Sequence, residues 1–274
     1  MAVSGANALL RRGTGNAKLP LIDALSPLYS MGVYPRHGNL IMIAGRSGSG
    51  KSSFALFLAE QWGLDTLYFS ADMSAAQASQ KVAAMRTQAT TDKIEAAILA
   101  GEGQHYVDAI VDSKVRFSFG TPIKQKTMME EINAHVDLYN KYPSVIVIDN
   151  LLNMEGAESE YQEQMAAMQA LSSLSRDTGA TVVVLHHASD KSWDANSKTF
   201  YPPSRQQVKG GMSEAPELTL SVALDNRDGT FNVAPIKQRM GYQDPTGETY
   251  VSLGCNPAKN TYWASGTQSY EGAS

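Results

Sequence analysis

The sequence lacks the features of secreted and membrane proteins. Its 274 residues include one cysteine, Cys255, so the chain can form no internal disulfide and no zinc site built from cysteines. No apolar run reaches the roughly 18 residues that a membrane-spanning helix needs, and the amino terminus does not resemble a signal peptide. We therefore expect a soluble protein of a reducing, intracellular compartment.

The sequence also has no excess of positively charged residues. The formal net charge is −4, so the surface as a whole does not attract nucleic acid, although a local basic loop still could. The hydrophobic fraction of 43% is enough for a large core. These values fit one large α/β domain, which we place at residues 21–264, between an N-terminal arm or linker at 1–20 and a disordered tail at 265–274.

A buried strand, a glycine-rich turn and a helix follow one another in residues 40–59, and the turn matches the P-loop pattern G-x-x-x-x-G-K-[ST]. The glycines would let consecutive backbone N–H groups point inward, where the N-terminal end of the helix adds partial positive charge. We therefore predict that a nucleoside triphosphate binds Gly45, Arg46, Ser47, Gly48, Ser49, Gly50, Lys51, Ser52 and Ser53.

Within this site the side chain of Lys51 would neutralise the β and γ phosphate oxygens, and the hydroxyl of Ser52 would ligate Mg²⁺. A chance glycine turn is the alternative. The strand before the turn and the helix after it disfavour that alternative.

The order of the remaining patterns predicts a parallel sheet. Two uninterrupted β-branched runs, Val145–Asp149 and Thr181–Leu185, are typical of central strands that helices cover on both faces. The last third of the chain instead holds short strands separated by turn residues, at 218–224, 231–236, 249–253 and 261–264. We expect an α/β fold with a central parallel sheet, flanking helices and antiparallel strands at the carboxyl end.

Asp149 ends the first of these runs and is the candidate Walker B aspartate, so Ser52 and Asp149 are the predicted metal ligands. An ordinary aspartate at a strand end is the alternative, which the P-loop upstream disfavours. Asn150 stands where ATPases of the AAA+ and ABC type usually carry a glutamate. In this respect the chain resembles those RecA-like proteins whose water-orienting acid ends the strand next to the P-loop strand. That resemblance implies Asp72, after the strand Thr66–Ser70, as the candidate. An aspartate that merely stabilises a helix N-terminus is the alternative there.

Five short motifs occur in the order seen in hexameric replicative helicases. They are Tyr34–Leu40, Phe69–Met73, the strand ending at Asp149, Leu185–His187 and Lys237–Gly241. The chain resembles the RecA-like motor domain of the DnaB-type and phage primase-helicase family over about residues 21–264, without a primase or a helical amino-terminal domain. Each motif is weak alone, but their order is specific.

The resemblance implies a RecA-like ATP hydrolase that uses ATP and Mg²⁺ and acts as a DNA helicase in replication. It also implies a homo-oligomeric ring, a hexamer, that moves along single-stranded DNA, with a primase or a helicase loader as a further partner and no membrane. Such a protein would work in the cytoplasm of a bacterial or phage-infected cell.

The sequence departs from the family pattern in two respects. The family generally has glutamate where Asp72 stands, which puts the hydrolysis rate in question but not nucleotide binding. At the end of the next central strand the family carries a glutamine or histidine that senses the γ-phosphate. His186 or His187 could fill that role, and we favour His187; a hydrogen-bonded core histidine is the alternative.

Lys237 and Arg239 stand two positions apart on a predicted hairpin edge, so both side chains should project to the same side. In the family such a pair reaches the γ-phosphate held by the neighbouring subunit, as an arginine finger. We therefore expect hydrolysis to depend on assembly. A solvated, charged strand edge is the alternative.

The loops after the two central strands are the candidate DNA contacts. In the second loop basic residues outnumber acidic ones, and a glycine-containing segment resembles the family loop that tracks the phosphate backbone. The predicted DNA-binding residues are Lys191, Lys198, Arg205, Lys209, Gly210 and Gly211. Aromatic rings available for base stacking are those of Trp193, Phe200 and Tyr201. Contacts to the backbone alone predict little sequence preference and a strong salt dependence.

Two other functions remain open. A RecA-like strand-exchange or recombination protein would form open filaments and pair DNA without unwinding it. A non-motor regulatory or loader ATPase would switch a protein partner, and the aspartate at position 72 gives this interpretation some support. A P-loop kinase is disfavoured because the sequence shows no arginine-rich lid.

Overall fold

The protein is described here from a computed structural model that covers residues 17–157, 161–189 and 200–269. The strands of these ranges are β1 Leu40–Gly45, β2 Thr66–Ser70, β3 Val115–Ser118, β4 Val145–Asp149, β5 Thr181–His187, β6 Leu218–Asp225, β7 Thr230–Gln238, β8 Thr249–Asn256 and β9 Thr261–Ser269. They form one nine-stranded sheet in the order β3-β2-β4-β5-β1-β6-β7-β8-β9.

The α-helices in the same ranges are Ser26–Ser30, Lys51–Trp62, Ala75–Thr87, Thr91–Leu99, Gln104–Ile110, Gln125–Tyr139 and Tyr161–Thr178. Short 3-10 turns lie at Asp23–Leu25, Leu151–Asn153, Arg205–Gln207 and Lys209–Glu214. Among the described helices none is both long and apolar enough to cross a membrane.

The sheet is parallel at its centre and antiparallel at one side, as predicted. β1 lies between β5 and β6 and runs parallel to both. β2 pairs in parallel with β3 and β4, whereas β7, β8 and β9 follow β6 as antiparallel neighbours. The helices between the parallel strands provide the crossovers that such strands need, and short turns are enough for the antiparallel ones.

Side-chain alternation along the strands divides the buried residues of the sheet into two clusters, one on each face, and a third, smaller cluster lies among helices. The cluster beside the helix Lys51–Trp62 includes Ile43, Tyr68, Val147 and Leu185. The other cluster, beside the helices Gln125–Tyr139 and Tyr161–Thr178, includes Met42, Phe69, Ile148 and Val184. We call the face that carries the helix Lys51–Trp62 the P-loop face.

Aromatic rings hold the helix Lys51–Trp62 against the antiparallel strands. The ring centroid of the fully buried Phe54 lies 4.8 Å from that of Phe231 and 5.3 Å from that of Tyr262. The ring of Phe57 also lies 4.8 Å from that of Tyr262. The carboxyl-terminal strands thus support the helix whose first residues complete the P-loop.

The folded part extends beyond the predicted limits at both ends. Leu19 is 3% exposed, and its N–H donates to the carbonyl oxygen of Pro35 at 3.0 Å, so the chain is already anchored there. β9 continues to Ser269 and pairs with β8, so the expected disordered tail is wrong for residues 265–269. Strand pairing uses backbone groups and does not require apolar side chains. Residues 1–16 and 270–274 lie outside the described ranges.

We expect the substitution Phe54→Ala to lower the free energy of unfolding by about 3–5 kcal/mol, because it removes a buried ring and leaves a cavity. Denaturant titration followed by circular dichroism measures this change. Phe119→Ala is the matched control, because the ring of Phe119 is 40% exposed. Equal losses of stability in the two variants would contradict the proposed support of the helix.

Candidate nucleotide-binding site

The P-loop connects the end of β1 to the helix Lys51–Trp62. Gly48 and Gly50 have φ angles of +70° and +80°, in the left-handed region that glycine adopts without strain. A Cβ atom on Gly45 would lie 2.8 Å from the carbonyl oxygen of Val222, closer than real Cβ atoms come. The glycines of the pattern are therefore required by the curl of the loop and by the close approach of β6.

The ammonium group of Lys51 folds back over the loop. The residue is 7% exposed, and its Nζ donates to the carbonyl oxygen of Arg46 at 2.7 Å and to that of Gly45 at 3.1 Å. The positive N-terminal end of the helix adds to this charge. A buried cation beside a curled loop at a helix N-terminus suits the phosphates of a nucleotide.

The carboxylate of Asp149 links β4 to the P-loop helix and to β2. It is 2% exposed; its Oδ1 accepts a hydrogen bond from the Ser52 hydroxyl at 3.0 Å, and its Oδ2 accepts one from the Tyr68 hydroxyl at 2.9 Å. Burial raises the pKa of Asp149, and these two hydrogen bonds oppose the rise. Burial and the nearby Asp149 charge also raise the pKa of the Tyr68 phenol, so that phenol remains a donor.

The donor set fits a nucleotide with Mg²⁺. A serine hydroxyl and a carboxylate 3.0 Å apart are hard oxygen ligands of the kind that Mg²⁺ takes beside phosphate oxygens and water. The Oγ atom of Ser49 is buried in the loop and has no hydrogen-bond partner among the described residues. A phosphate oxygen would satisfy it. The structure thus brings together Ser52 and Asp149, the two predicted metal ligands.

Asp72 lies just beyond β2, at the same edge of the sheet as the end of β4. The N–H of the preceding Ala71 donates to the carbonyl oxygen of Asp149 at 3.0 Å. The carboxylate of Asp72 accepts hydrogen bonds from the side-chain amides of Asn150 and Asn153, each at 3.0 Å. The expectation that the strand before Asp72 lies next to the P-loop strand is wrong, because β4 and β5 lie between β2 and β1. Asp72 lies beside the Walker B strand instead, and its role in hydrolysis stays a prediction.

The two histidines at the end of β5 point to opposite faces of the sheet. His187 has the same parity as Leu185 and therefore lies on the P-loop face, whereas His186 follows Val184 onto the other face and is fully buried. In the strand register His187 is the direct neighbour of Gly45. This geometry favours His187 as the residue beside a bound γ-phosphate.

Arg239 lies at the opposite end of the sheet from the P-loop of its own subunit, whereas Lys237 is level with Met42 in the middle of β1. The N–H of Arg239 donates to the carbonyl oxygen of Glu217, and the N–H of Glu217 donates to that of Leu40, each at 2.9 Å. Arg239 is therefore level with the first residue of β1, and Gly45 is the last residue of that strand. At about 3.3 Å per residue the two levels are roughly 16 Å apart along the strand.

Both cations approach the same short segment, which agrees with the predicted projection to one side. The ammonium of Lys237 donates to the carbonyl oxygen of Glu214, and the guanidinium of Arg239 donates to that of Ala215 at 3.3 Å. Burial, with the nearby charges of Arg239 and Arg205, lowers the pKa of Lys237 to about 8. β8 pairs with β7 only over Thr230–Val233, so Lys237 lies beyond that ladder.

The described part of the loop after β5 is packed rather than loose. The N–H of Ser189 donates to the carbonyl oxygen of Gln207 at 2.7 Å, and the guanidinium of Arg46 in the P-loop donates to that of Tyr201 at 3.0 Å. The loop is thus attached directly to the nucleotide site.

The predicted DNA-binding residues fall into two groups. Lys191 and Lys198, with Trp193, lie outside the described residues, and the side chain of Lys209 is not described either. Gly210 and Gly211 have φ angles of +65° and +60°, and nothing lies within 4 Å of a Cβ built on Gly211. Space beside Gly211 would let a phosphate backbone come close.

Three of the other predicted DNA contacts already have partners within the subunit. The guanidinium of Arg205 donates to the hydroxyl of Ser213 at 3.3 Å and lies 3.9 Å from the carboxylate of Glu214. The guanidinium of Arg227 covers the ring of Phe200 at 3.8 Å, and the ring of Tyr201 lies 6.0 Å from that of Tyr250. These intramolecular contacts argue against base stacking by Phe200 and Tyr201.

Sequence reasoning missed several residues that shape the site. In the sequence Tyr68 has the pattern of an ordinary aromatic strand residue. The alternation of side chains along the strand puts it on the same face as Asp149 and could have indicated their contact. Asn150 was noted only because it stands in place of an acidic residue, and Asn153 was not identified from the sequence. Lys81 donates to the hydroxyl of Ser53 at 2.8 Å, a contact between two helices that no local pattern indicates.

These features define a P-loop ATPase with a RecA-like core: a P-loop after a central parallel strand, a buried Walker B carboxylate bonded to the P-loop serine, and antiparallel strands at one side. The chain belongs to the DnaB-like helicase C-terminal domain family, whose model matches residues 30–199. It is thus an ATPase of the helicase type.

Two phage proteins are similar over most of their length. The Gene 65 protein of Mycobacterium phage L5 is 30% identical over 252 residues, which cover 87% of this chain and 91% of that protein. The Gene 65 protein of Mycobacterium phage D29 is 25% identical over 223 residues, which cover 78% and 94%.

Two solved structures share the fold at 15% sequence identity. A DnaB-like replicative helicase, studied with its interactions with primase, superposes with a TM-score of 0.77 over 95% of this chain and 66% of that one. This chain therefore spans just under two thirds of that helicase. The second structure is an isolated ATPase domain, which superposes with a TM-score of 0.76 over 95% of each chain.

We expect Tyr68→Phe to raise the Mg²⁺ concentration needed for half-maximal ATP hydrolysis and to lower the free energy of unfolding by about 1–2 kcal/mol. The substitution removes the donor to Oδ2 of Asp149 and keeps the buried ring. Mg²⁺ titrations of ATPase activity and denaturant titrations measure the two effects. Tyr139→Phe, on the exposed side of a helix, is the control. An unchanged Mg²⁺ requirement would show that Tyr68 does not hold Asp149.

Proposed function

We propose that the protein is an ATP-driven helicase and translocase that assembles head to tail as a ring, a hexamer, around single-stranded DNA during replication. One observation carries this proposal. The P-loop and Arg239 of the proposed arginine finger lie at opposite ends of the same sheet. A single subunit therefore cannot bring Arg239 to its own P-loop, because the gap exceeds the length of an arginine side chain.

Assembly would complete the site. If the cation end of one subunit docks on the P-loop end of the next, each interface holds one full set of groups. Such a contact uses two different surfaces, and its repetition gives either a closed ring or an open helical filament. Membership of the DnaB-like family supports the ring.

Each described group has a chemical task in this proposal. Lys51 and the P-loop N–H groups bind the phosphates, and Ser52 with Asp149 would hold Mg²⁺, which neutralises charge on the β and γ phosphate oxygens. The attacking water would be oriented by Asp72. The charge that develops in the transition state would be neutralised by Lys237 and Arg239 of the neighbouring subunit.

His187 would report the state of the nucleotide. It ends β5, and the chain continues directly into the loop that we propose as the DNA contact. Within that loop the open space beside Gly211 allows backbone phosphates to approach. Loss of the γ-phosphate would thus be transmitted to DNA across a few residues, with weak sequence preference and strong salt dependence.

We expect Arg239→Ala to retain ATP binding and to lose most turnover, because the phosphate would lack the neighbour's cation. Titration with a fluorescent ATP analogue and steady-state hydrolysis measure the two quantities. Arg116→Ala, an exposed arginine on β3, is the matched control. Lys51→Ala should abolish nucleotide binding. Normal steady-state hydrolysis in Arg239→Ala would contradict a role for Arg239 at the nucleotide of the neighbouring subunit.

Mixing the two variants tests the intersubunit site directly. An Arg239→Ala subunit keeps its P-loop, and a Lys51→Ala subunit keeps its cations, so a mixed assembly contains some complete interfaces. We expect ATP hydrolysis to reappear on mixing. Inactivity of every mixture would contradict a site shared between neighbours.

Three measurements separate helicase action from its rivals. Strand displacement on forked DNA with 5′ and 3′ tails would establish unwinding and its polarity. Negative-stain images distinguish closed rings from the open filaments of a strand-exchange protein. ATPase activity that single-stranded DNA leaves unchanged would favour a regulatory or loader ATPase. A primase or a helicase loader is a further proposed partner, and pull-down with the phage or host primase tests it.

A further inference from the structure

The carboxylate of Asp72 is held by two side-chain amides from a single segment. Nδ2 of Asn150 donates to its Oδ2 and Nδ2 of Asn153 donates to its Oδ1, each at 3.0 Å. Asp72 is exposed, whereas Asn150 is 4% exposed. Both oxygens of a carboxylate at the surface are thus bonded to protein groups from the end of the neighbouring strand.

The local backbone brings the two amides together. Asn150 caps the 3-10 turn Leu151–Asn153, and its Oδ1 accepts the N–H of Leu152 at 3.0 Å. This bond turns its Nδ2 towards Asp72. Residues three apart in a 3-10 turn lie above one another, so Asn150 and Asn153 face the same carboxylate. The backbone bond from the N–H of Asn153 to the carbonyl oxygen of Asn150, at 3.1 Å, closes the turn.

We propose that Asn150 and Asn153 are positioning residues for ATP hydrolysis, which fix the carboxylate of Asp72 beside the Walker B strand. The inference rests on the proposed water-orienting role of Asp72. A carboxylate has about four lone-pair positions, so two amide bonds leave others free for the attacking water. An unrestrained exposed aspartate would instead sample several rotamers, and a misplaced catalytic group costs rate.

The arrangement also joins both carboxylates of the site. Asn150 directly follows Asp149 in the chain, so the acid that would orient water and the acid that would hold Mg²⁺ are attached to adjacent residues. Asp72 is one methylene shorter than the family's glutamate. Two fixed amides compensate for the shorter side chain by holding it in one place.

Asn153 is the better site for a test. The side chain of Asn150 also bonds to the backbone of its own turn, so its removal would disturb the fold. For Asn153, the side-chain hydrogen bond seen among the described residues is the one to Asp72. Asn133→Ala, an exposed asparagine on the helix Gln125–Tyr139, makes the same chemical change away from the site.

The experiment measures kcat of DNA-stimulated hydrolysis, affinity for a fluorescent ATP analogue and the thermal midpoint for Asn153→Ala, Asp72→Ala and the double variant. We expect Asn153→Ala to lower kcat about ten- to a hundredfold without changing affinity, since a positioning group affects the reacting geometry. In the Asp72→Ala background it should have no further effect. Asn133→Ala should match the native protein.

An unchanged or increased kcat in Asn153→Ala would overturn the inference, and so would an equal loss of kcat in the presence and absence of Asp72. A lower thermal midpoint together with loss of ATP affinity would indicate a structural role and would also overturn it. Normal turnover in Asp72→Ala would instead refute the proposed role of Asp72, so the two failures can be told apart.

Discussion

The alternation of side chains along the parallel strands is the constraint on which the site depends. Because successive residues of a strand face opposite sides of the sheet, Tyr68, Asp149 and His187 all lie on the P-loop face. A shift of any of these strands by one residue would move its polar group to the other face. The buried apolar residues of each strand prevent such a shift, because it would move each of their side chains out of the core cluster in which it packs.

The second constraint is the direction of β7. Antiparallel pairing with β6 carries the chain away from the P-loop, and Arg239 therefore lies at the opposite end of the sheet. A parallel strand would have carried the chain towards the P-loop. The antiparallel direction of the strands at the carboxyl end thus bears on whether one subunit can hydrolyse ATP alone or needs a neighbouring subunit.

Much of the fold could be predicted because its signals are local. Uninterrupted runs such as Val145–Asp149 identify central strands, and the P-loop has φ angles that glycine adopts without strain. The disordered tail was wrong for residues 265–269, because β9 continues to Ser269 and its residues 266–269 pair with β8 through backbone groups, which composition does not report. The ring of Phe200, expected to stack on bases, is covered on one face by Arg227, which comes from a distant turn.

By itself the sequence determined the P-loop, the succession of strands and helices along the chain and the identity of the chemical groups, because each of these follows from residues close together in the chain. Only the tertiary structure decided which groups meet. The hydrogen bonds from Tyr68 to Asp149 and from Asn153 to Asp72 each join residues 81 positions apart, and no spacing pattern in the sequence predicts them. They arise because parallel strands bring their carboxyl ends to one edge of the sheet, where distant residues become neighbours.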